Sequence, residues 1–271
     1  MCTTCGCSDD AGTRVTTLHS HEHGLDHAPG RHRDHSHAGG HEHQHTQHHP
    51  AAAEPQPSPR TVTIEQQVLA KNDSLADGNR DWLAARGIRA LNMMSSPGSG
   101  KTSLLVRTIR DLGDERTIAV IEGDQETLLD AERIRATGCG VVQINTGAGC
   151  HLDAQMLLQG ITALDPPDRA LLFIENVGNL VCPALFDLGE QAKVVVISVT
   201  EGDDKPLKYP HMFAAADLVL VNKVDLLPYV DFDVDACSTH ARSVNPRLEI
   251  LPISATTGLG LDDWYDWLRR L

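Results

Sequence analysis

A loop rich in serine and glycine, Ser95-Ser96-Pro97-Gly98-Ser99-Gly100-Lys101-Thr102, stands between an apolar run and an amphipathic one. Glycines at 98 and 100 let backbone N–H groups converge on phosphate oxygens, and a helix opening at the lysine adds its N-terminal dipole. Gly98, Ser99, Gly100, Lys101, Thr102 and Ser103 are therefore candidate phosphate contacts. Lys101 is placed to reach β- and γ-phosphates, and the Thr102 hydroxyl to bind Mg²⁺. Ser95 departs from the usual pattern, standing where its first glycine belongs.

A second group reads the base. Asn222-Lys223-Val224-Asp225 ends a later apolar run. A carboxylate at Asp225 can accept from N1–H and N2–H₂ of guanine, donors that adenine lacks. Asn222 can support the ring edge, the Lys223 stem can stack on the base, and the backbone at Ser254-Ala255 can meet guanine O6. A site built on such hydrogen bonds rejects the wrong base because it leaves polar groups unpaired, so GTP is favoured over ATP. Between the two groups, Asp124 ends a strand where a carboxylate would serve Mg²⁺. Glu175 ends another, where a catalytic or water-orienting group belongs. Asp130 reads as a solvated helix carboxylate. No arginine finger is identifiable, so intrinsic turnover should be slow.

Soft ligands form a third group. Cys2, Cys5 and Cys7 make C-x-x-C-G-C, three thiolates where a structural zinc site usually has four ligands. Removal of the initiator would free the Cys2 amine as a fourth donor, an S₃N set suited to square-planar Ni²⁺. Twelve of the 15 histidines lie between His19 and His49. Imidazoles on such a chain suit multivalent loading with nickel, copper or zinc. Cys150-His151 precedes a predicted helix, and Cys182 follows the Glu175 strand. By spacing alone these three read equally as ligands or as packed side chains. Cys139, Cys237, His211 and His240 read as packing residues.

Such residues need a scaffold. Short β-branched runs at Ala90–Met94, Ile118–Ile121, Val141–Ile144, Leu171–Ile174, Val194–Val199, Leu218–Val221 and Glu249–Pro252 read as buried parallel strands. Helical patterns alternate with them at Thr102–Leu112, Glu126–Thr137, Leu152–Leu164, Val234–Val244 and Leu261–Leu271. Another spans residues 63–86 through Ile64, Val68, Leu75, Trp82 and Leu83. The expectation is an α/β domain over residues 61–271, a doubly wound and mostly parallel sheet of about seven strands. Residues 1–60 carry no Phe, Trp or Tyr and end in a Pro-rich linker. They read as a disordered metal-binding tail.

Composition excludes several classes. With 23 Lys+Arg against 37 Asp+Glu, the net charge of −14 in 271 residues argues against nucleic-acid binding. No apolar run is long enough to span a membrane, and the polar MCTTCGCSDD lacks the apolar segment of a signal peptide. Seven cysteines, three of them crowded into residues 2–7, fit metal chemistry in a cytoplasmic protein better than a secreted disulfide scaffold.

Taken in order, SSPGSGKT, EGDQET, NTGAGCHLDAQML, ENVGNLVCP, EGDDKPLKYP and NKVDLLPY resemble the HypB family, GTPases that help insert nickel into [NiFe]-hydrogenase. The resemblance covers residues 61–271, and CTTCGC extends it. The related UreG GTPases share the phosphate loop and N-K-x-D but would not explain CTTCGC or the Cys150-His151/Cys182 pairing. The resemblance implies a SIMIBI-class G domain that dimerises with GTP. It also implies a regulatory metal site at Cys150, His151 and Cys182, and a high-affinity nickel site at Cys2, Cys5 and Cys7, with Ni²⁺ and Zn²⁺ as the metals expected of the protein. The implied partners are a HypA-type nickel protein and the hydrogenase large subunit. Ala148 stands where the family is expected to carry lysine. Two alternatives remain at this point: a nickel or zinc storage protein with a regulatory G domain, and a UreG-like urease accessory GTPase. A P-loop kinase is disfavoured because no acceptor site is recognisable.

Overall fold

The computed structural model describes residues 14–17, 59–124, 129–147 and 149–271. Cys2, Cys5, Cys7, the histidine tract and Ala148 lie outside the described residues. The chain runs β1 (Arg14–Thr17), α1 (Pro59–Ala85), β2 (Arg89–Ser95), α2 (Lys101–Leu112), β3 (Ile118–Asp124), α3 (Leu129–Arg135) and β4 (Gly140–Asn145). It continues with α4 (Ala154–Leu164), β5 (Leu171–Gly178), α5 (Cys182–Leu185), β6 (Ala192–Ser198), α6 (Lys205–Lys208) and α7 (Pro210–Ala215). The last elements are β7 (Leu218–Asn222), a 3₁₀ turn (Val224–Tyr229), α8 (Val234–Val244), β8 (Glu249–Pro252) and α9 (Leu261–Arg269).

The described strands form one eight-stranded sheet in the order β1-β4-β3-β5-β2-β6-β7-β8. Every pair is parallel except β1 against β4. The seven expected strands are all present, and β1 adds an antiparallel edge from within the region read as a tail. β2 is central, with β5 on one side and β6 on the other, so the winding reverses beside it. Ligands of open α/β sheets bind in the crevice at the carboxyl ends of strands at such a reversal. Loop 95–101 leaves β2 there.

Strand residues alternate between two cores, as the pleat requires. Leu91, Met93, Val120, Phe173, Val194 and Leu220 face α2 and α9. Trp264 seals that side, stacked on Trp267 and donating its indole N–H to Thr108 Oγ1 at 3.0 Å. On the opposite face, Val195, Ile197 and Val221 pack with residues of α7 and α8, and Ala119, Ile121, Leu172 and Ile174 with residues of α4.

Helix α1 corrects one expectation. Its buried positions are Asn72, Ala76, Asn79 and Leu83, while Val68 is exposed. Among the described side chains of the expected apolar set, Leu83 alone is fully buried. The seam is held by amides instead. Asn72 accepts from Ala154 N at 2.9 Å and donates to Asp187 O at 2.8 Å. Asn79 donates to Ala154 O at 2.9 Å and Leu188 O at 3.0 Å. These bonds satisfy backbone groups at the start of α4 and in the 187–190 turn, which would otherwise be buried unpaired.

Candidate functional site

A cavity of about 520 Å³ opens at the carboxyl end of β2, lined by the 96–103 loop with Asp124, Asp130, Arg133, Glu175, Val177, Gly178 and Lys223. Helix α2 starts at Lys101 behind Gly100, whose φ of 98° is left-handed. A Cβ at Gly100 would stand 2.5 Å from Asn222 Nδ2. Glycine is therefore needed there for two reasons, conformation and close approach. Ser95, the departure from the usual loop pattern, receives the Lys101 ammonium at 2.7 Å and donates to Ser96 O at 2.7 Å. The hydroxyl thus gives a buried ammonium an acceptor. Burial lowers the Lys101 pKa, opposed chiefly by the Glu175 carboxylate.

The Thr102 hydroxyl donates to Glu175 Oε1 at 2.7 Å. The second Glu175 oxygen is buried without a hydrogen-bond partner among the described residues, as is Oε2 of Glu122. Glu122 and Glu175 are direct neighbours across the β3–β5 ladder. Burial pushes Glu122 up to about 9, with Glu175, Asp124 and Asp130 adding to the rise, so it is protonated at neutral pH. Burial also raises Glu175, against the pull of Lys101 and the Thr102 hydrogen bond. A hydroxyl, a carboxylate oxygen with no partner and Asp124 on the same wall make a hard oxygen set of the kind that suits Mg²⁺.

At the other end of the cavity the expected base-reading residues are drawn together. Asn222 Nδ2 donates to Ser99 O at 2.9 Å and its Oδ1 accepts from Ala255 N at 3.1 Å. Lys223, itself left-handed at φ 64°, donates to Gly98 O at 2.8 Å. Ser254 Oγ donates to Asp225 Oδ1 at 2.6 Å. One side chain, Asn222, therefore ties the phosphate loop to both elements expected to hold the base.

Beside this cavity, the ligand atoms of Cys150, His151 and Cys182 lie within 4.8 Å of one another, all half-buried. Spacing left the three residues open, and the fold brings them into one cluster. Cys150 and His151 sit between β4 and α4, and Cys182 opens α5. His151 stacks on Phe186 with ring centroids 4.0 Å apart. Burial lowers the His151 pKa, which favours the neutral imidazole that binds metals. Asn179 donates to Cys150 O at 3.3 Å, and Asn176 accepts from Leu152 N at 3.1 Å. A second cavity of about 410 Å³ shares Ser96, Pro97, Val177 and Gly178 with the first and reaches Cys150. Cys139 and Cys237 stand apart, their thiols pushed up to about 12 by burial. His211 is exposed, and His240 Nδ1 lies 3.1 Å from Asp203 O.

Sequence reasoning missed Glu122, Arg133, Asn176 and Asn179. Glu122 had a signal, a carboxylate directly after the apolar run Ile118–Ile121 and two residues before Asp124. Arg133 had none beyond being one of several charges on a polar helix.

Fold and site together define a P-loop nucleotide-binding protein with a cysteine–histidine cluster beside the nucleotide pocket. The family model for the CobW/HypB/UreG nucleotide-binding domain matches residues 90–252. The Escherichia coli (strain K12) hydrogenase maturation factor HypB is 61% identical over 210 residues, 78% of this chain and 72% of that one. The HypB of Cupriavidus necator is 44% identical and covers 99% of this chain and 88% of its own. The crystal structure of HypB from Helicobacter pylori in complex with nickel superposes with a TM-score of 0.69 at 39% identity, covering 74% of this chain and 94% of that one. The chain belongs to the CobW/HypB/UreG family, on its HypB branch. No helix among the described residues is long and apolar enough to cross a membrane.

Proposed function

We propose that this protein is a GTP-hydrolysing metallochaperone that handles nickel for [NiFe]-hydrogenase maturation. The observation that carries this reading is the clustering of Cys150, His151 and Cys182 beside a second cavity, lined by Cys150, that shares Ser96, Pro97, Val177 and Gly178 with the nucleotide cavity. The nickel in the Helicobacter pylori HypB structure supports the cargo, and the E. coli relative supports the pathway.

In this reading Gly98, Ser99, Gly100, Thr102 and Ser103 wrap the phosphates. Lys101 leaves Ser95 to meet the β- and γ-oxygens. Thr102 and Asp124 hold Mg²⁺, which when bound spreads positive charge across the β- and γ-phosphates. Glu175, on the floor of the cavity, orients the attacking water, and Asn222, Lys223, Asp225, Ser254 and Ala255 hold guanine. Cys150, His151 and Cys182 bind Ni²⁺ or Zn²⁺ as cargo. Three ligands leave the coordination incomplete, and a GTP-dependent two-fold dimer would bring a second set to the same surface. Cys2, Cys5 and Cys7 form a separate nickel site in the tail over residues 1–60. Its 12 clustered histidines favour storage as an accessory role. A HypA-type nickel protein and the hydrogenase large subunit are the partners this reading implies, in the cytoplasm.

The test is metal affinity at the G-domain cluster in protein lacking residues 1–58, with GDP and with a non-hydrolysable GTP analogue. A several-fold difference between the two states is expected. Equal affinities would make the cluster structural and end the GTP-gated delivery scheme.

A further inference from the structure

We propose that Arg133, in α3, is a catalytic arginine supplied in cis, donating its guanidinium fork to the γ-phosphate of the bound nucleotide. This rests on the GTPase reading above and adds a residue to it.

The charged side chains lining the nucleotide cavity are Lys101, Arg133 and Lys223 against Asp124, Asp130 and Glu175. Two of the three cations are accounted for. Lys223 is bound to Gly98 O at the base end, and Lys101 rises from the loop itself. The remaining wall, formed among the described residues by Asp124 at the end of β3 and by α3, carries the carboxylates Asp124 and Asp130 and the cation Arg133. A γ-phosphate entering there brings further negative charge against Asp124, Asp130 and Glu175. Among the described lining residues, Arg133 is the cation on that wall that can offset it.

Its present contacts place it. Arg133 Nη2 donates to Ser103 Oγ at 3.0 Å, the residue after the Thr102 hydroxyl. Nη1 donates to Asp130 Oδ1 at 3.1 Å. Arg133 is near enough to lower the pKa of buried Glu175 electrostatically. Both partners of the Arg133–Asp130 pair are about half exposed, at 51% and 45%. An exposed i,i+3 pair of this kind adds little to stability, because solvent screens it. Exchanging one oxygen of Asp130 for phosphate oxygens therefore costs little. A planar fork also suits two equatorial oxygens of a transferring phosphoryl group, which a lysine point charge does not match. Arg133 forms no bond to phosphorus. It stabilises charge that grows on the oxygens as the γ-phosphoryl leaves.

The experiment is single-turnover GTP hydrolysis with Mg²⁺ by the full chain, for wild type, Arg133→Ala, Arg133→Lys and Arg135→Ala. Affinities for GDP and for GDP with aluminium fluoride are measured alongside. Arg133→Ala should lose on the order of 100-fold in turnover, with GDP affinity held within about threefold. It should also lose its preference for GDP–aluminium fluoride over GDP, and added guanidinium ion should restore part of the rate. Arg135→Ala, on the same helix but outside the cavity, should turn over as wild type. Unchanged turnover in Arg133→Ala would overturn the assignment. So would a loss matched by an equal loss of GDP affinity, which would mean that Arg133 only braces α3 on α2. If Arg133→Ala does not fold, Arg133→Lys decides: a tenfold or greater loss is expected, and wild-type turnover would overturn the need for a fork. Wild-type protein that fails to hydrolyse GTP would overturn the underlying GTPase reading instead.

Discussion

Replacing Gly100 with alanine tests the nucleotide cradle where it has least room. At φ 98° an L-residue carries strain of about 1–2 kcal/mol. The new Cβ would stand 2.5 Å from Asn222 Nδ2, so the amide must withdraw. Withdrawal breaks the bonds to Ser99 O and from Ala255 N, at 2.9 and 3.1 Å. Each is worth about 0.5–1.5 kcal/mol. The folded state should therefore lose about 2–5 kcal/mol, or about 5–15 °C in Tm for a domain of this size. The variant still folds, because domains carry about 5–15 kcal/mol of stability. Guanine nucleotides should bind about tenfold more weakly, since the tie between the phosphate loop and the base-reading residues is lost. Metal affinity at Cys150, His151 and Cys182 should stay as in wild type with no nucleotide present. Calorimetric unfolding and GDP titration of Gly100→Ala check both figures. A Tm drop below about 1 °C with unchanged GDP affinity would refute the claim that Asn222 and Gly100 are mutually locked.

Asp225→Asn should lose its preference for guanine and let xanthosine nucleotides compete, because an amide matches only one of the two guanine donors. Competition binding with GDP, ADP and XDP reads this, and an unchanged order of preference removes the base assignment. Glu122→Gln should raise stability at neutral pH. Glu122 holds its proton to about pH 9 in the folded state and to about 4.5 unfolded, so its contribution is full below 4.5 and is lost as pH rises through 9. The stability gain of Glu122→Gln, read as unfolding free energy, should therefore grow from pH 5 to pH 8, at a slope of at most about 1.4 kcal/mol per pH unit. A gain that is flat or falls with pH would contradict a buried, protonated Glu122. Cys182→Ala should weaken metal binding in protein lacking residues 1–58 by at least tenfold while leaving GDP affinity unchanged. Equal metal affinity there would exclude Cys182 as a ligand.

The parts of the fold legible in the sequence are those fixed by local pattern. Strands such as Val194–Val199 are buried on both faces, so continuous apolar runs announce them. The phosphate loop is legible because its glycines answer a local demand for left-handed backbone. Helix α1 was legible as a helix but not in its face. Asn72 and Asn79 look like surface residues, and only the backbone of the 154 and 187–188 segments makes them core. Strand β1 was not legible, because four residues pair only where β4 offers an edge. At the site, Lys101, Thr102, Glu175 and Asn222 could be read because chemistry and position coincide in short motifs. Asn176, Asn179 and Arg133 could not, since their partners Leu152, Cys150 and Ser103 are 24–30 residues away.

One short stretch of chain carries both halves of the proposed activity. Glu175, on β5, is held by the Thr102 hydroxyl at the nucleotide end. The next residue, Asn176, accepts from Leu152 N, directly after His151, and donates to Asn92 Oδ1 in the central strand at 3.2 Å. Asn92 in turn donates to Glu190 Oε1 at 3.1 Å, so the amide chain is anchored across the sheet. Three residues beyond Asn176, Asn179 donates to the Cys150 carbonyl, and three beyond that Cys182 supplies a thiol. Gly178, between Asn176 and Asn179, lies against Pro97 of the phosphate loop, where an added Cβ would stand 3.2 Å from the Pro97 backbone. If the Thr102 hydroxyl were drawn away to Mg²⁺, the resulting shift of Glu175 would act on a segment bonded to both sides of the Cys150–His151 pair. Packed interiors move between discrete arrangements rather than deforming smoothly. Cys182 and the Cys150–His151 pair would then be set in one relation with GTP and another with GDP. Linkage makes the effect mutual: whatever factor GTP imposes on metal affinity, the metal imposes on GTP affinity.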